Sequence, residues 1–375
     1  MRRRTVAIVG DRDTDKFRGW LIRDMVAAGH RVVVCGPQVD KLIATITGLG
    51  ARYRVVSLNQ TGLDPLRALG EVVALSRILR AEGADLVLTH STKQNVVGPF
   101  AARLAGISDV FAMIEGFGWA FAEGKEFRRK ALRATIATLL RLSLRCCSGV
   151  FVLNDADEDF VRSARLVTRT QRVVKINGTG IDLDQFAYAP APSGPPAFLL
   201  IARLLREKGI LDFVEAARRL KRELPQCRFQ LLGPLDSNPG ALSGDDIAAW
   251  RAENVVEYLG HTDDVRPFLR SCTTFVLPTY YREGLPRTVI EALAIGRPVI
   301  TTGISACRQT TLDGVNGFVV PQRDPVSLAA AMRTFTQDPA LATRMGRASR
   351  RIAEDVFDVR KVNGVMMQAM ALAPN

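Results

Sequence analysis

Between Thr273 and Thr302 the chain spells a unit that few folds can accommodate. Thr273-Thr274-Phe275-Val276-Leu277-Pro278 is apolar without alternation, the pattern of a strand buried on both faces. Pro286 suits a first helical position, where a missing N–H costs nothing. Val289, Ile290, Leu293 and Ala294 then form one helical stripe, with Gly296 as the stop and Pro298 beyond it. Val299, Ile300 and Thr301 open the next strand. Such strand–loop–helix–strand units build parallel sheets, whose ligands lie at the carboxyl ends of the strands. Glu283 in the loop and Glu291 on the helix stand at or just past that end.

The same alternation runs through the whole chain, which predicts an α/β protein. Strands are expected at 6–10, 31–35, 53–57, 86–89, 110–114 and 150–153, then at 198–202, 229–233, 255–259, 275–278, 298–302 and 318–320. Helices are expected at 325–337 and 340–354, and a last one within 358–373. The run Ala187-Tyr188-Ala189-Pro190-Ala191-Pro192-Ser193-Gly194-Pro195-Pro196 breaks both helix and strand. It is read as the linker, giving a first domain at 1–186, a second at 197–356 and a terminal segment at 357–375. A chain of 375 residues is long enough for two such cores.

Composition narrows the partners. The net charge is +13, and the basic surplus lies mostly in the first half. No basic stretch is interleaved with stacking aromatics, so nucleic acid is not the expected partner. An anionic membrane surface or a diphosphate-bearing substrate fits better. No apolar stretch approaches the roughly 18 residues that span a bilayer. Met1-Arg2-Arg3-Arg4 imitates a signal-peptide start, but the apolar run after it is short and meets Asp11, Asp13 and Asp15. It reads as the first core strand of a cytoplasmic protein. Six cysteines and three histidines show no zinc spacing or disulfide framework.

Glu283 and Glu291 with their surroundings resemble the E-x7-E signature of glycosyltransferase family 4. Ile201-Ala202-Arg203-Leu204-Leu205-Arg206-Glu207-Lys208-Gly209 is similar to that family's diphosphate-contacting segment. Asn177–Phe186 resembles its interdomain segment and Asp313–Val320 its "DG-NGFLV" turn. Weaker likeness at Thr89–Asn95 and at Gly116-Phe117-Gly118 points to the branch acting on polyprenyl-diphosphate-linked sugars. The resemblance implies the GT-B fold, two Rossmann-like doubly wound parallel-sheet domains facing across a cleft. It also implies a last helix that crosses back to the first domain, and retaining transfer from a nucleotide sugar, a UDP-sugar being expected, without metal or other cofactor.

It further assigns candidate residues. Arg203 and Lys208 would neutralise the departing diphosphate, a guanidinium gripping oxygens in two places and an ammonium acting as a point charge; otherwise they are surface cations of a basic chain. Glu291 would accept the ribose hydroxyls, and Glu283 would face the donor sugar. The backbone N–H groups of Gly284, Leu285 and the residues after Pro286 would face sugar hydroxyls or phosphate. Glu115 stands where many family members carry histidine, and is either an acidic catalytic or hydroxyl-binding substitute or a structural loop residue. Phe17, Arg18, His90, Lys93 and Asn95 are weaker candidates for acceptor contacts.

Arg128, Arg129, Lys130 and Arg133 begin a basic helix with apolar residues at helical spacing, either lying on anionic lipid or packing on the core with a solvated basic face. Three D-x-D triplets (Asp11/Asp13, Asp155/Asp157, Asp182/Asp184) carry too little information to place a metal. A glycosidase pair is disfavoured, because retaining glycosidases need carboxyl groups about 5–5.5 Å apart. Eight residues of mostly helical chain rise roughly 12 Å.

The sequence therefore predicts a peripheral-membrane hexosyltransferase or N-acetylhexosaminyltransferase acting on a lipid-linked or growing glycan, as in capsule, O-antigen, exopolysaccharide or glycoprotein glycan assembly. The competing readings are a nucleotide-sugar epimerase and a catalytically degenerate membrane-bound binding module.

Overall fold

A computed structural model describes residues 3–57, 65–116, 127–236, 238, 240–281 and 284–373; the side chains of 65, 66 and 127–133 fall outside that description. The chain forms two compact units, one of residues 1–179 with 359–375 and one of residues 180–358.

The first unit alternates β1 (Thr5–Val9), α1 (Thr14–Ala27), β2 (Arg31–Gly36), α2 (Asp40–Gly48), β3 (Arg52–Val55), α3 (Pro65–Ala81) and β4 (Leu86–His90). It continues with α4 (Thr92–Leu104), β5 (Asp109–Ile114), α5 (Phe127–Leu144), β6 (Gly149–Val152), α6 (Asp155–Ser163) and β7 (Arg172–Lys175). All pairings are parallel and the strand order is β3-β2-β1-β4-β5-β6-β7. The central strands are buried along almost their whole length, because helices cover both faces. β7 had no strand signal: it is a short edge strand with exposed charged ends, Arg172 and Lys175, so no apolar run marks it.

The second unit contains β8 (Ala197–Ile201), α7 (Ile210–Glu223), β9 (Arg228–Leu232), α8 (Gly244–Ala252), β10 (Glu257–Tyr258), α9 (Arg266–Ser271) and β11 (Thr274–Leu277). Then follow α10 (Arg287–Ile295), β12 (Val299–Thr302), α11 (Ser305–Arg308), β13 (Gly317–Val320), α12 (Pro325–Gln337) and α13 (Pro339–Ile352). Its order, β10-β9-β8-β11-β12-β13, repeats the logic of the first sheet. In each sheet the order reverses at one place, between β1 and β4 and between β8 and β11. Loops leave those strand ends in opposite directions and open a crevice for ligands.

The last helix, α14 (Val359–Ala369), belongs to the first unit. Val362, Met366, Met367, Met370 and Leu372 complete the apolar layer made by Val6, Ile8, Leu21, Ile22 and Met25. Polar links fix its register: Asn363 Nδ2 donates to Asp24 Oδ2 at 2.6 Å, and His30 Nε2 lies 3.1 Å from Leu372 O.

The contacts divide the chain at 179/180 and 358/359 and not within 187–196. Residues 180–186 pack with the second unit, where Ile181 N donates to Phe357 O at 2.8 Å and pairs in a parallel bridge with Asp358. The proline-rich run is bound there too, through Ala189 N to Ile295 O at 3.0 Å. Its composition excludes helix and strand, but it does not prevent packing.

Arg297 secures that run. It is fully buried, and its guanidinium donates to the carbonyls of Leu269 (2.7 Å), Arg270 (3.1 Å), Pro190 (3.1 Å) and Gly296 (3.4 Å). Carbonyls stripped of a buried donor cost about 1–3 kcal/mol each. Arg297→Met is therefore expected to lose about 3 kcal/mol or more in urea unfolding. A loss below about 1 kcal/mol would show that these bonds do not hold the segment.

Candidate active site

In the second unit the crevice lies past β8 and β11. Arg203 stands two residues beyond β8, half exposed, with Nη1 donating to Asp236 Oδ2 at 2.9 Å. A single 3-10 turn, Arg206–Lys208, precedes α7. Gly209 closes it at φ +74°, and a Cβ there would meet Pro278 O at 2.1 Å, so this position admits only glycine. That close approach stitches the two crossovers together. Tyr280 N (2.9 Å) and Thr279 Oγ1 (3.1 Å) both donate to Glu207 O. Lys208, only 8% exposed, sets its ammonium 5.2 Å from the centroid of the Tyr281 ring.

Pro286 is the N-cap of α10, not its first helical residue, with extended backbone at φ −68° and ψ 111°. Gly284, Leu285 and Pro286 are buried. Glu291 is buried as well, although it lies off the apolar stripe of its helix. Its Oε1 accepts from Arg287 Nε at 2.9 Å. Burial pushes the carboxyl above its ordinary value, and the Arg287 guanidinium pulls it back. Glu283 lies outside the described residues. The fold thus brings Arg203, Lys208 and the loop leading to α10 to neighbouring strand ends.

The first unit has its own polar cluster past β1, β4 and β5. Gly10 leaves room for it: a Cβ there would lie 2.1 Å from Thr14 Oγ1 and 2.3 Å from His90 Nε2. Thr14 Oγ1 donates to Asp11 O at 2.7 Å and sits 3.1 Å from His90 Nε2. His90 Nδ1 is 3.6 Å from Glu115 Oε2. Arg18, 1% exposed, donates to Glu115 Oε1 and to Met113 Sδ. Ser91 holds a strained φ of +71° at the start of α4 and donates to Asp11 Oδ2 at 2.5 Å. A cavity of 210 Å³ opens beside them, lined by Ser91, Thr92, Asn95, Ile114, Glu115, Gly116 and Leu140.

Burial alone would raise the Glu115 carboxyl, but Arg18 and His90 outweigh it and hold it at about 2. A carboxyl held this low is suited to accept hydrogen bonds.

Two weaker candidates are spent inside the fold. Lys93 turns to α3, its Nζ 2.9 Å and 2.8 Å from the two carboxylate oxygens of buried Glu71, and so is not offered to a ligand diphosphate. Asn95 accepts from Thr89 Oγ1 and donates to Met113 O, both at 2.6 Å, tying α4 to β4 and β5. Phe17 gives its carbonyl to Arg18 Nη1 at 3.1 Å. In α5, Ile136, Leu140 and Leu144 are buried in the core, so from residue 136 onward the apolar stripe faces protein. The side chains of Arg128, Arg129, Lys130 and Arg133, and residues Phe117 and Gly118, lie outside the described residues. Asp11 and Asp182 serve local turns, accepting from Asp13 N and Asp184 N.

Some participants carried no usable sequence signal. Asp236 meets Arg203 from a loop with no motif, and Tyr281 meets Lys208 across two crossovers. Outside the site, Asp157 of one D-x-D triplet accepts from Asn154 Nδ2 in the cap of α6, and burial pushes its carboxyl up to about 7. Arg287 was findable, since i and i+4 on a helix are neighbours.

Residues 16–178 match the family model described as a glycosyl transferase 4-like domain, and residues 195–338 the one described as glycosyl transferases group 1. The N,N'-diacetylbacillosaminyl-diphospho-undecaprenol alpha-1,3-N-acetylgalactosaminyltransferase of Campylobacter jejuni is 26% identical, covering 88% of each chain. The UDP-Gal:alpha-D-GlcNAc-diphosphoundecaprenol alpha-1,3-galactosyltransferase of Escherichia coli is 24% identical, over 80% of this chain and 79% of its own. Sucrose-phosphate synthase from Thermosynechococcus elongatus superposes with a TM-score of 0.78 at 20% identity, over 98% of both chains. HepE from Anabaena, solved with UDP and glucose, gives 0.76 at 19% identity, over 98% of this chain and 100% of its own. The fold is therefore GT-B, that of two Rossmann-like domains. The chain belongs to glycosyltransferase family 4 and is a glycosyltransferase.

The Glu115 ion pair gives a pH test. With its folded value near 2 and its ordinary value 4.5, the pair stabilises the fold fully above 4.5 and loses that effect as pH falls toward 2. Glu115→Gln should melt below wild type at pH 7, and the gap should close between pH 4.5 and 2. A gap that stays constant across that interval would contradict the pairing.

Proposed function

We propose that this glycosyltransferase moves a hexose or N-acetylhexosamine, with retention, from a UDP-sugar to a glycan carried on a polyprenyl diphosphate. The observation that carries the donor half is Lys208: a lysine with only 8% of its surface exposed, held beside the reversal point of the second sheet. A diphosphate arriving in that crevice would be neutralised by Lys208 and by the half-exposed Arg203, whose fork can exchange Asp236 for phosphate oxygens. Glu291, paired with Arg287, would accept the ribose hydroxyls, and Glu283 would face the sugar as positive charge develops on it.

The bond from the anomeric carbon to the diphosphate oxygen breaks while the acceptor oxygen bonds the same face. The acceptor's proton passes to the leaving phosphate oxygen. Preorganised cations at the leaving group are among the largest contributions available to such a step. Metal-independent transfer follows from this assignment, since the two cations take the place of a divalent ion.

The acceptor half is supported by the two relatives that span most of this chain, both named for work on diphosphoundecaprenol-linked sugars. A lipid-linked acceptor implies work at a membrane surface. No helix among the described residues is long and apolar enough to cross one, so peripheral association is the proposed mode.

The test is incubation with UDP-sugars and a synthetic polyprenyl-diphosphate-linked acceptor, following UDP release, product mass and anomeric configuration. Arg203→Ala and Lys208→Ala should each lower turnover by about 10²–10³, and EDTA should leave it unchanged. Wild-type turnover in both variants would defeat the donor assignment. Loss of activity in EDTA would overturn metal independence, and turnover without acceptor would favour an epimerase.

A further inference from the structure

The loop after β11 places two tyrosines in succession, and each faces a cation from a different element. Tyr281 lies under Lys208, with the ammonium 5.2 Å from the ring centroid. Tyr280 lies under Arg323, whose guanidinium carbon is 4.6 Å from the ring centroid. The loop is held so that these pairings are fixed. Thr302 Oγ1 at the end of β12 donates to Thr279 O. Thr279 Oγ1 donates to Glu207 O at 3.1 Å and accepts from Tyr281 N at the same distance. Tyr280 N donates to Glu207 O at 2.9 Å. Glu207 is the residue before Lys208, so one peptide sets both the lysine and the ring beneath it.

A lysine side chain has four rotatable bonds, and ordering it costs up to about 2 kcal/mol. An aromatic face attracts an ammonium with about 0.5–2 kcal/mol, more as water is excluded. The ring can therefore pre-order the ammonium, so that a diphosphate meets a charge already in place.

We propose that Tyr281 is a positioning residue for the donor diphosphate, acting through the face of its ring on Lys208 and not through its hydroxyl. This rests on the assignment of Lys208 to the diphosphate. Removing the ring takes this contact from the ammonium, and the loss falls on nucleotide affinity and donor KM, with acceptor KM unchanged.

The experiment is UDP titration by calorimetry on the full chain, in wild type, Tyr281→Leu, Tyr281→Phe, Lys208→Met and the Tyr281→Leu/Lys208→Met double variant, with donor and acceptor KM measured alongside. Tyr281→Leu is expected to weaken UDP binding about 3- to 30-fold. Tyr281→Phe should bind within about two-fold of wild type, because the ring face is retained. In the Lys208→Met background Tyr281→Leu should change affinity by less than about two-fold, since the partner is gone.

Lys208→Met binding UDP as wild type does would overturn the diphosphate assignment, and this inference with it. Weak binding in Lys208→Met with wild-type binding in Tyr281→Leu would overturn the inference alone. So would an equal loss from Tyr281→Leu in both backgrounds, or a Tyr281→Phe that falls as far as Tyr281→Leu. Should Tyr281→Leu fail to fold, Tyr281→Phe and the Lys208→Met background with Tyr281→Phe still decide whether the hydroxyl matters.

Discussion

One carbonyl organises the crevice of the second unit. Glu207 O accepts from Tyr280 N and Thr279 Oγ1, and so joins the turn after β8 to the loop after β11 across the crevice of the second sheet. Strand order alone places these crossovers beside each other. The shared acceptor, with Gly209 pressed against Pro278, decides how closely they approach. Lys208, Tyr281 and the lead-in to α10 owe their places to that junction. A side chain on Gly209 would force the crossovers apart, and the cation would leave with its turn.

The two crevices handle charge differently. In the first unit Glu115 accepts from Arg18 and lies beside His90, which in turn meets Thr14. Arg18 and His90 hold the Glu115 carboxyl well below the usual range, which suits accepting hydrogen bonds from hydroxyls in the neighbouring cavity. In the second unit Arg203 is half exposed and pairs with one carboxylate oxygen, while Lys208 is buried with its ammonium beside an aromatic ring.

Much of the architecture was legible because it is written in apolar runs. β1, β4, β5, β8 and β11 are buried on both faces and so stand out without alternation, and α12 was placed within its observed bounds. Edges were harder. β7 has charged ends and half-exposed middle residues, and the proline-rich run looked like a linker because composition reports backbone preference and says nothing of where a carbonyl finds a donor. Among site residues, Arg203 and Lys208 stood at strand ends where chemistry is expected. Lys93 stood at one too, but buried Glu71 on α3 claims it. That pairing joins residues 22 positions apart, beyond any local pattern. The burial of Glu291 was likewise invisible, since a helical wheel shows one stripe and not how many neighbours surround the helix.

The return of α14 to the first unit has a consequence for how the chain comes into being. A ribosome extrudes β1 through β7 first, yet Val362, Met366, Met367 and Leu372 emerge only after the entire second unit has been made. Until then the face formed by Val6, Ile8, Leu21 and Met25 lacks its cover, a sticky surface on a nascent polypeptide. The later-born unit is one uninterrupted segment and can close on its own, so the first domain to be synthesised is the last to be finished.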